Sequence, residues 1–158
     1  MDPVFIWIEQ SALSDWVTGD AFVWILVAHT LGVAMVAGPN AAIALRILGA
    51  ARNVPLSAMA GFFPVVWLGL AASAPSGVLL LIGYPTKALT NPVFYLKLVC
   101  IGLGVALMAH LRRAVLPALE PEETRAKAMA WASLALWGGA ITAGRLLAYT
   151  HSRLAASW

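Results

Sequence analysis

Residues 21–45 read AFVWILVAHTLGVAMVAGPNAAIAL, a stretch whose only ionisable residue is His29. A helix needs about 20 consecutive, predominantly apolar residues to cross the hydrocarbon core of a bilayer. Three further stretches of the same kind follow, at 56–83, 92–111 and 128–149. The whole chain has 158 residues, of which 61% are hydrophobic and 11% charged, whereas soluble domains carry about 25% charged residues. The expected fold is therefore all-α: one integral membrane four-helix bundle occupying 1–158, with spans at about 21–51, 56–83, 92–115 and 122–151. The expected partner is the lipid bilayer. The net charge of +3 gives no reason to expect nucleic acid, because the few basic residues sit between the apolar stretches, where membrane topology needs them.

Local signals mark the ends of these elements. Asn91-Pro92 reads as an N-cap followed by proline at the first helical position. Pro121-Glu122-Glu123 opens the last helix with proline and with acids near its positive end. Pro39 predicts a kink in the first span, and Pro64 and Pro75 predict bends in the second. In residues 3–17, Val4, Phe5, Ile8 and Trp16 alternate with Glu9, Gln10 and Asp15, which predicts a short amphipathic helix lying at the membrane surface. The opening Met-Asp-Pro lacks a basic stretch before its apolar residues, so the N-terminus does not read as a cleavable signal. Cys100 is the only cysteine, which excludes an intrachain disulfide and a Cys-x-x-Cys metal site.

Basic residues orient the spans. Arg46 and Arg52 follow the first, and Arg112, Arg113, Arg125 and Lys127 follow the third. The other side holds only Lys87 and Arg153. The first set is expected to face the cytoplasm, with both termini on the outer, periplasmic side of a bacterial inner membrane. Arg46 is expected to meet lipid phosphate.

Within the spans three ionisable residues stand out: His29, Lys97 and Arg145. A charge at bilayer depth costs at least ~2.5 kcal/mol on the mildest scale, so such residues usually face a bundle interior. With the middle of each span as the bilayer centre and ~1.5 Å rise per residue, His29 lies ~6 Å, Lys97 ~7 Å and Arg145 ~10 Å toward the outside. His110 lies ~12 Å toward the cytoplasm, roughly 18 Å in depth from His29, so these two histidines make a poor pair for one iron. His151 sits at the outer edge of the last helix. The three residues in one layer predict a polar site between the helices. The sharpest occupant is haem b, with His29 as the axial metal ligand. Arg145 is suited to a propionate, and Lys97 to a propionate or, in its neutral form, to the iron. Tyr84, Tyr95 and Tyr149 lie in the same outer region and can donate hydrogen bonds.

Ala28-His29-Thr30-Leu31-Gly32, Gly38 and Leu45-Arg46-Ile47-Leu48-Gly49 resemble the first helix of an uncharacterised bacterial family of four-span membrane proteins. Asn91-Pro92-Val93-Phe94-Tyr95-Leu96-Lys97-Leu98 resembles the start of its third helix, and His110 the end of that helix. Ala143-Gly144-Arg145-Leu146-Leu147-Ala148-Tyr149 resembles its closing motif. This family is known only as a domain of unknown function, so the resemblance implies architecture and no activity. A looser resemblance is to HemJ-type protoporphyrinogen oxidases and to copper-resistance D membrane proteins. The former also place a histidine on an early helix and a lysine at the start of a later one, and they associate with haem, which implies His29 and Lys97 as the cofactor pair. The chain departs from them at Gly38-Pro39-Asn40-Ala41, where a bulkier polar and aromatic stretch is expected. It also lacks the methionine clusters of copper transport.

These features lead to the expectation of a small membrane protein that binds haem b in electron transfer, or as a subunit of a larger membrane redox complex. The alternatives are a cofactor-free accessory subunit of such a complex and an oxidoreductase acting on a porphyrin or quinone.

Overall fold

Each long apolar stretch is helical, as a chain in hydrocarbon requires, because a helix satisfies its own backbone hydrogen bonds. The structure, a computed structural model, describes residues 3–115 and 123–154, with side chains described from 4 to 113 and from 123 to 149. In chain order come α1 (Pro3–Glu9), α2 (Ala12–Thr18), α3 (Phe22–Ile47), a 3₁₀ stretch (Leu56–Phe62) that runs into α4 (Phe63–Gly83), α5 (Pro85–Leu89), α6 (Pro92–His110) with a π turn after it (Leu111–Val115), and α7 (Glu123–Leu154). Among the described residues there is no strand, and three helical segments are long and apolar enough to cross a membrane: Phe22–Ile47, Leu56–Gly83 and Pro92–Arg113. The last helix, α7, is the longest at 32 residues, but its central stretch is rich in alanine and glycine and includes Arg145.

Several ends differ from the sequence reading. The first long helix stops at Ile47 rather than near 51, because Gly49 has φ +110° and Ala51 has φ +48°, both outside the helical region. Arg46 ties this turn down: its Nε donates to the Val54 carbonyl and its second guanidinium nitrogen to the Arg52 carbonyl at 3.2 Å. Its guanidinium thus serves the 48–55 loop. Pro64 lies in the first turn of α4 and so starts that helix, whereas Pro39 and Pro75 lie inside helices that continue past them. Asn91 caps α6 as its sequence predicts, accepting from Val93 N at 2.9 Å.

The N-terminal segment is two short helices, not one. Ser11 separates them, because its hydroxyl donates to the Ile8 carbonyl at 2.7 Å and accepts from Ser14 N at 3.2 Å, closing α1 and capping α2. Both helices lean on the end of α4. Val17 is fully buried and clusters with Ala21, Ile25, Leu79 and Leu80. The Glu9 carboxylate accepts from Thr86 N at 3.2 Å, at the start of α5.

The long helices pack as a row, with α4 against α3, α3 against α7, and α7 against α6. The closest crossing is α3 on α4. A methyl group on Gly32 would lie 2.7 Å from Ser73 N and 2.8 Å from the Gly69 carbonyl oxygen, and one on Gly69 would lie 2.7 Å from the Gly32 carbonyl oxygen. Small residues let helix backbones meet where lipid supplies no hydrophobic drive for association. By contrast, α4 and α6 do not pack along their length. They converge only near the 48–55 loop, where Val36, Ile43, Phe63, Val66, Met108 and Trp137 form the core and the Arg112 guanidinium lies 5.1 Å from the centre of the Phe63 ring. Toward α5 the gap between them widens into a wedge.

One buried polar link crosses the narrow end. Ser133 Oγ on α7 donates to Asn40 Oδ1 on α3 at 2.6 Å, with both residues buried. Removing one partner strands the other without water, which costs about 1–3 kcal/mol, whereas replacing both with apolar groups can be nearly neutral. Ser133→Ala is therefore expected to destabilise the protein in detergent unfolding, and the Asn40→Leu/Ser133→Ala pair by less than the sum of the singles. Strict additivity would remove the bond from the account of stability.

The glycine crossing gives a second expectation of opposite signs. Gly32→Ala is expected to lose about 1–3 kcal/mol through overpacking against backbone that cannot move aside. Gly102→Ala on α6, where beyond the helix's own neighbouring residues no atom lies within 4 Å of the new methyl, is expected to gain up to about 1 kcal/mol in helix stability. Thermal unfolding of both variants in one detergent is the measurement, and equal shifts would refute the close crossing.

Candidate functional site

His29 lies three residues before Gly32 on α3, so the close crossing sets its ring against α4. Its Nδ1 is 3.0 Å from the Ser73 carbonyl oxygen and 3.2 Å from Ser76 Oγ. A carbonyl only accepts, so Nδ1 carries a hydrogen and donates. The Ser76 hydroxyl is consistent with this, because it donates to the Ala72 carbonyl at 2.6 Å and is left to accept from the ring. In the neutral imidazole this fixes the tautomer: Nδ1 is protonated and Nε2 keeps its lone pair. Gly77 makes room for the ring, since a methyl there would come within 3.2 Å of His29 Cε1.

The wedge between α4 and α6 holds a partly open cavity of ≈ 380 Å³, which α3, α5 and α7 also line. His29 and Lys97 both line it, so two of the three residues that the depth reading groups together meet in one space, and Arg145 does not join them. Its walls are otherwise mostly apolar, from residues such as Phe22, Leu26, Leu81, Phe94, Ile101 and Ile141. Lys97 reaches in from α6 along α7, where a methyl group on Gly144 would lie 3.6 Å from its Cε. Among the described residues, no hydrogen bond or ion pair holds the Lys97 amine. At its α5 end the cavity reaches Tyr84, Lys87 and Ala148.

The other residues singled out from the sequence lie elsewhere. Arg145 is exposed, with its guanidinium 5.8 Å from the centre of the Tyr149 ring. Neither residue is part of the cavity lining. Tyr95 is half-exposed, packs edge-on against Phe94, and donates from its hydroxyl to the Leu89 carbonyl at 2.9 Å, which fastens α6 to the end of α5. Tyr84 does line the cavity, edge-to-face with Phe22. His110 ends α6 at the far side of the core, while the side chain of His151 lies outside the described residues. Trp137 lines the cavity from α7.

The sequence reading missed Lys87, and with it the charge of the lining. Among the described residues, two lysines and a histidine line the cavity and no Asp or Glu does. Among the described residues there is no cluster of three or more His, Cys, Asp or Glu side chains able to cage a metal ion. Any metal here would need most of its ligands from a prosthetic group, with His29 Nε2 as the protein's donor. A histidine that donates its other ring N–H to a backbone carbonyl is the usual arrangement of a metal-binding imidazole.

Ring-nitrogen NMR on the labelled protein is expected to find His29 protonated at Nδ1 and bare at Nε2. Gly77→Val is expected to erode that state by pushing the ring off Ser73. A bare Nδ1 in the wild type would overturn the assignment. No family model, curated protein or solved structure matches the chain.

Proposed function

We propose that this protein is a four-span bundle of a bacterial inner membrane that binds haem b in the cavity between α4 and α6, and that it transfers electrons or serves a larger membrane redox complex. In this reading α7 is the fourth span, both termini face the periplasm, and α1 and α2 lie at the outer interface. The interfacial part is supported by Trp7 and Trp16 on these helices, which are 74% and 53% exposed, since tryptophan favours the headgroup level.

The observation that carries the proposal is the Nδ1 hydrogen bond of His29 to Ser73. It orients the ring and leaves Nε2, the nitrogen that would bind iron, as the lone-pair donor. The remaining residues fit the rest of the group. The apolar walls suit a flat, largely apolar ring, and the open side of the wedge leaves room for a group broader than the enclosed space. The cavity volume lies within the ~300–1,000 Å³ common for small-molecule sites. Lys97, inside the cavity, would face one propionate or, in its neutral form, the iron. When bound, haem would supply one-electron redox chemistry, tuned by the axial ligand and by burial. The loose resemblance to HemJ-type proteins adds support for the same His29 and Lys97 pair.

Protein purified in detergent from haem-replete cells is expected to show a Soret band with reversible reduction. His29→Ala is expected to retain less than about a tenth of the band, while Ser76→Ala, which leaves the Ser73 contact, is expected to keep most of it. Absence of the band from the wild type would overturn haem binding in favour of a cofactor-free accessory subunit. An undiminished band in His29→Ala would overturn the ligand assignment.

A further inference from the structure

At the α5 end of the cavity, Lys87 Nζ reaches across from α5 and donates to the Ala148 carbonyl of α7 at 3.2 Å. This contact is exposed and joins elements on the two sides of the cavity's end. It is also an incomplete pairing, because a cation is matched with a neutral acceptor, and no carboxylate is among the described lining residues. A hydrogen bond between ionised partners is roughly twice as strong as a neutral one. An anionic group arriving at this end would therefore displace the Ala148 carbonyl from the amine. The displaced carbonyl lies on the solvent-exposed side and can bond to water.

We infer that Lys87 is an exchangeable latch that receives the anionic edge of the cavity's ligand, trading the Ala148 carbonyl for the ligand's carboxylate. The inference deepens the haem reading and rests on it for the identity of the ligand, but its own content is narrower: the ligand is an amphiphile with an apolar body and an anionic end, and Lys87 rather than Arg145 receives that end. Arg145 lies outside the lining, against Tyr149. Lys97 serves deeper, where its stem runs over Gly144.

The test uses the full chain in detergent and compares a diacid with its neutral diester. Iron-free protoporphyrin IX and its dimethyl ester, followed by fluorescence anisotropy, read the anion contact without any iron bond. Wild type is expected to prefer the diacid. Lys87→Met is expected to lose roughly five- to tenfold of that preference, the loss of one charged hydrogen bond, with the diester bound as before. Lys87→Arg is expected to restore it, and Arg145→Met to leave it unchanged. A preference untouched in Lys87→Met, or one lost in Arg145→Met instead, overturns the latch even if the Soret band depends on His29. Lys87-dependent porphyrin binding without a His29-dependent Soret band sustains the latch and sinks haem ligation. Failure of the wild type to bind either porphyrin overturns both.

Discussion

The contact on which the rest of the structure depends is the crossing of α3 and α4 at Gly32 and Gly69. There the backbones come so close that a single methyl on either helix would overlap the other's main chain. Nothing apolar needs to be excluded from water at this depth, so the association rests on close packing itself. One turn from the crossing, the same approach carries the His29 ring to the Ser73 carbonyl. The tautomer of His29 is thus a consequence of two glycines, and the availability of Nε2 follows from it.

The row of helices explains why one end is solid and the other hollow. Because α4 leans on α3, and α6 on α7, the two outer helices of the row are free to part. Phe63, Val66 and Met108 draw them together near the 48–55 loop, and Asn40 with Ser133 locks α3 to α7 at that level. Toward α5 the lining carries glycines at 77 and 144, which withdraw side-chain volume where a core would have filled it. Short elements then bridge the open end: α5, held by Glu9 at Thr86, by Tyr95 at Leu89 and by Lys87 at Ala148. Pro85 and Ala88 of α5 are buried as well, but these polar contacts are single hydrogen bonds to backbone groups, which a polar ligand can replace.

The sequence made depth legible, and azimuth only in part. Counting residues placed His29, Lys97 and Arg145 at one level, which is enough for the first two because both face inward. Arg145 stands one residue past Gly144, about 100° further round α7, and so turns away from the cavity. The inward stripe of α7, Ala126, Ala130, Ser133, Trp137, Ala140 and Gly144, could have been found from its three- and four-residue spacing. The same spacing links His29, Gly32, Val36, Asn40 and Ile43 on α3 and marks Asn40 as interior. The break at Ser11 was less accessible, since the apolar pattern of 3–17 runs through it and only the hydroxyl's two bonds reveal it. Lys87 was hidden for another reason. A lone lysine in a short segment between spans enters the sequence reading only as a charge on the outer side, and only its reach to Ala148 distinguishes it.

Two polar features inside one bundle can have opposite meanings, and where they lie separates them. Asn40 and Ser133 lie in the closed end, and the bond between them fixes how α3 and α7 register, although the Asn40 amide nitrogen is buried there without a hydrogen-bond partner among the described residues. His29 faces the cavity and is bonded on one nitrogen only, and the bond it makes is the one that exposes the other. Lys97 shares the cavity without a hydrogen-bonding partner among the described residues, and Lys87 has only a neutral carbonyl. Basic groups gathered in an apolar wedge, with no carboxylate among its described lining residues, are costly to hold in low dielectric. An anion contributed by a ligand would offset that cost, so the charge of the lining, more than its shape, supports the proposed anionic occupant.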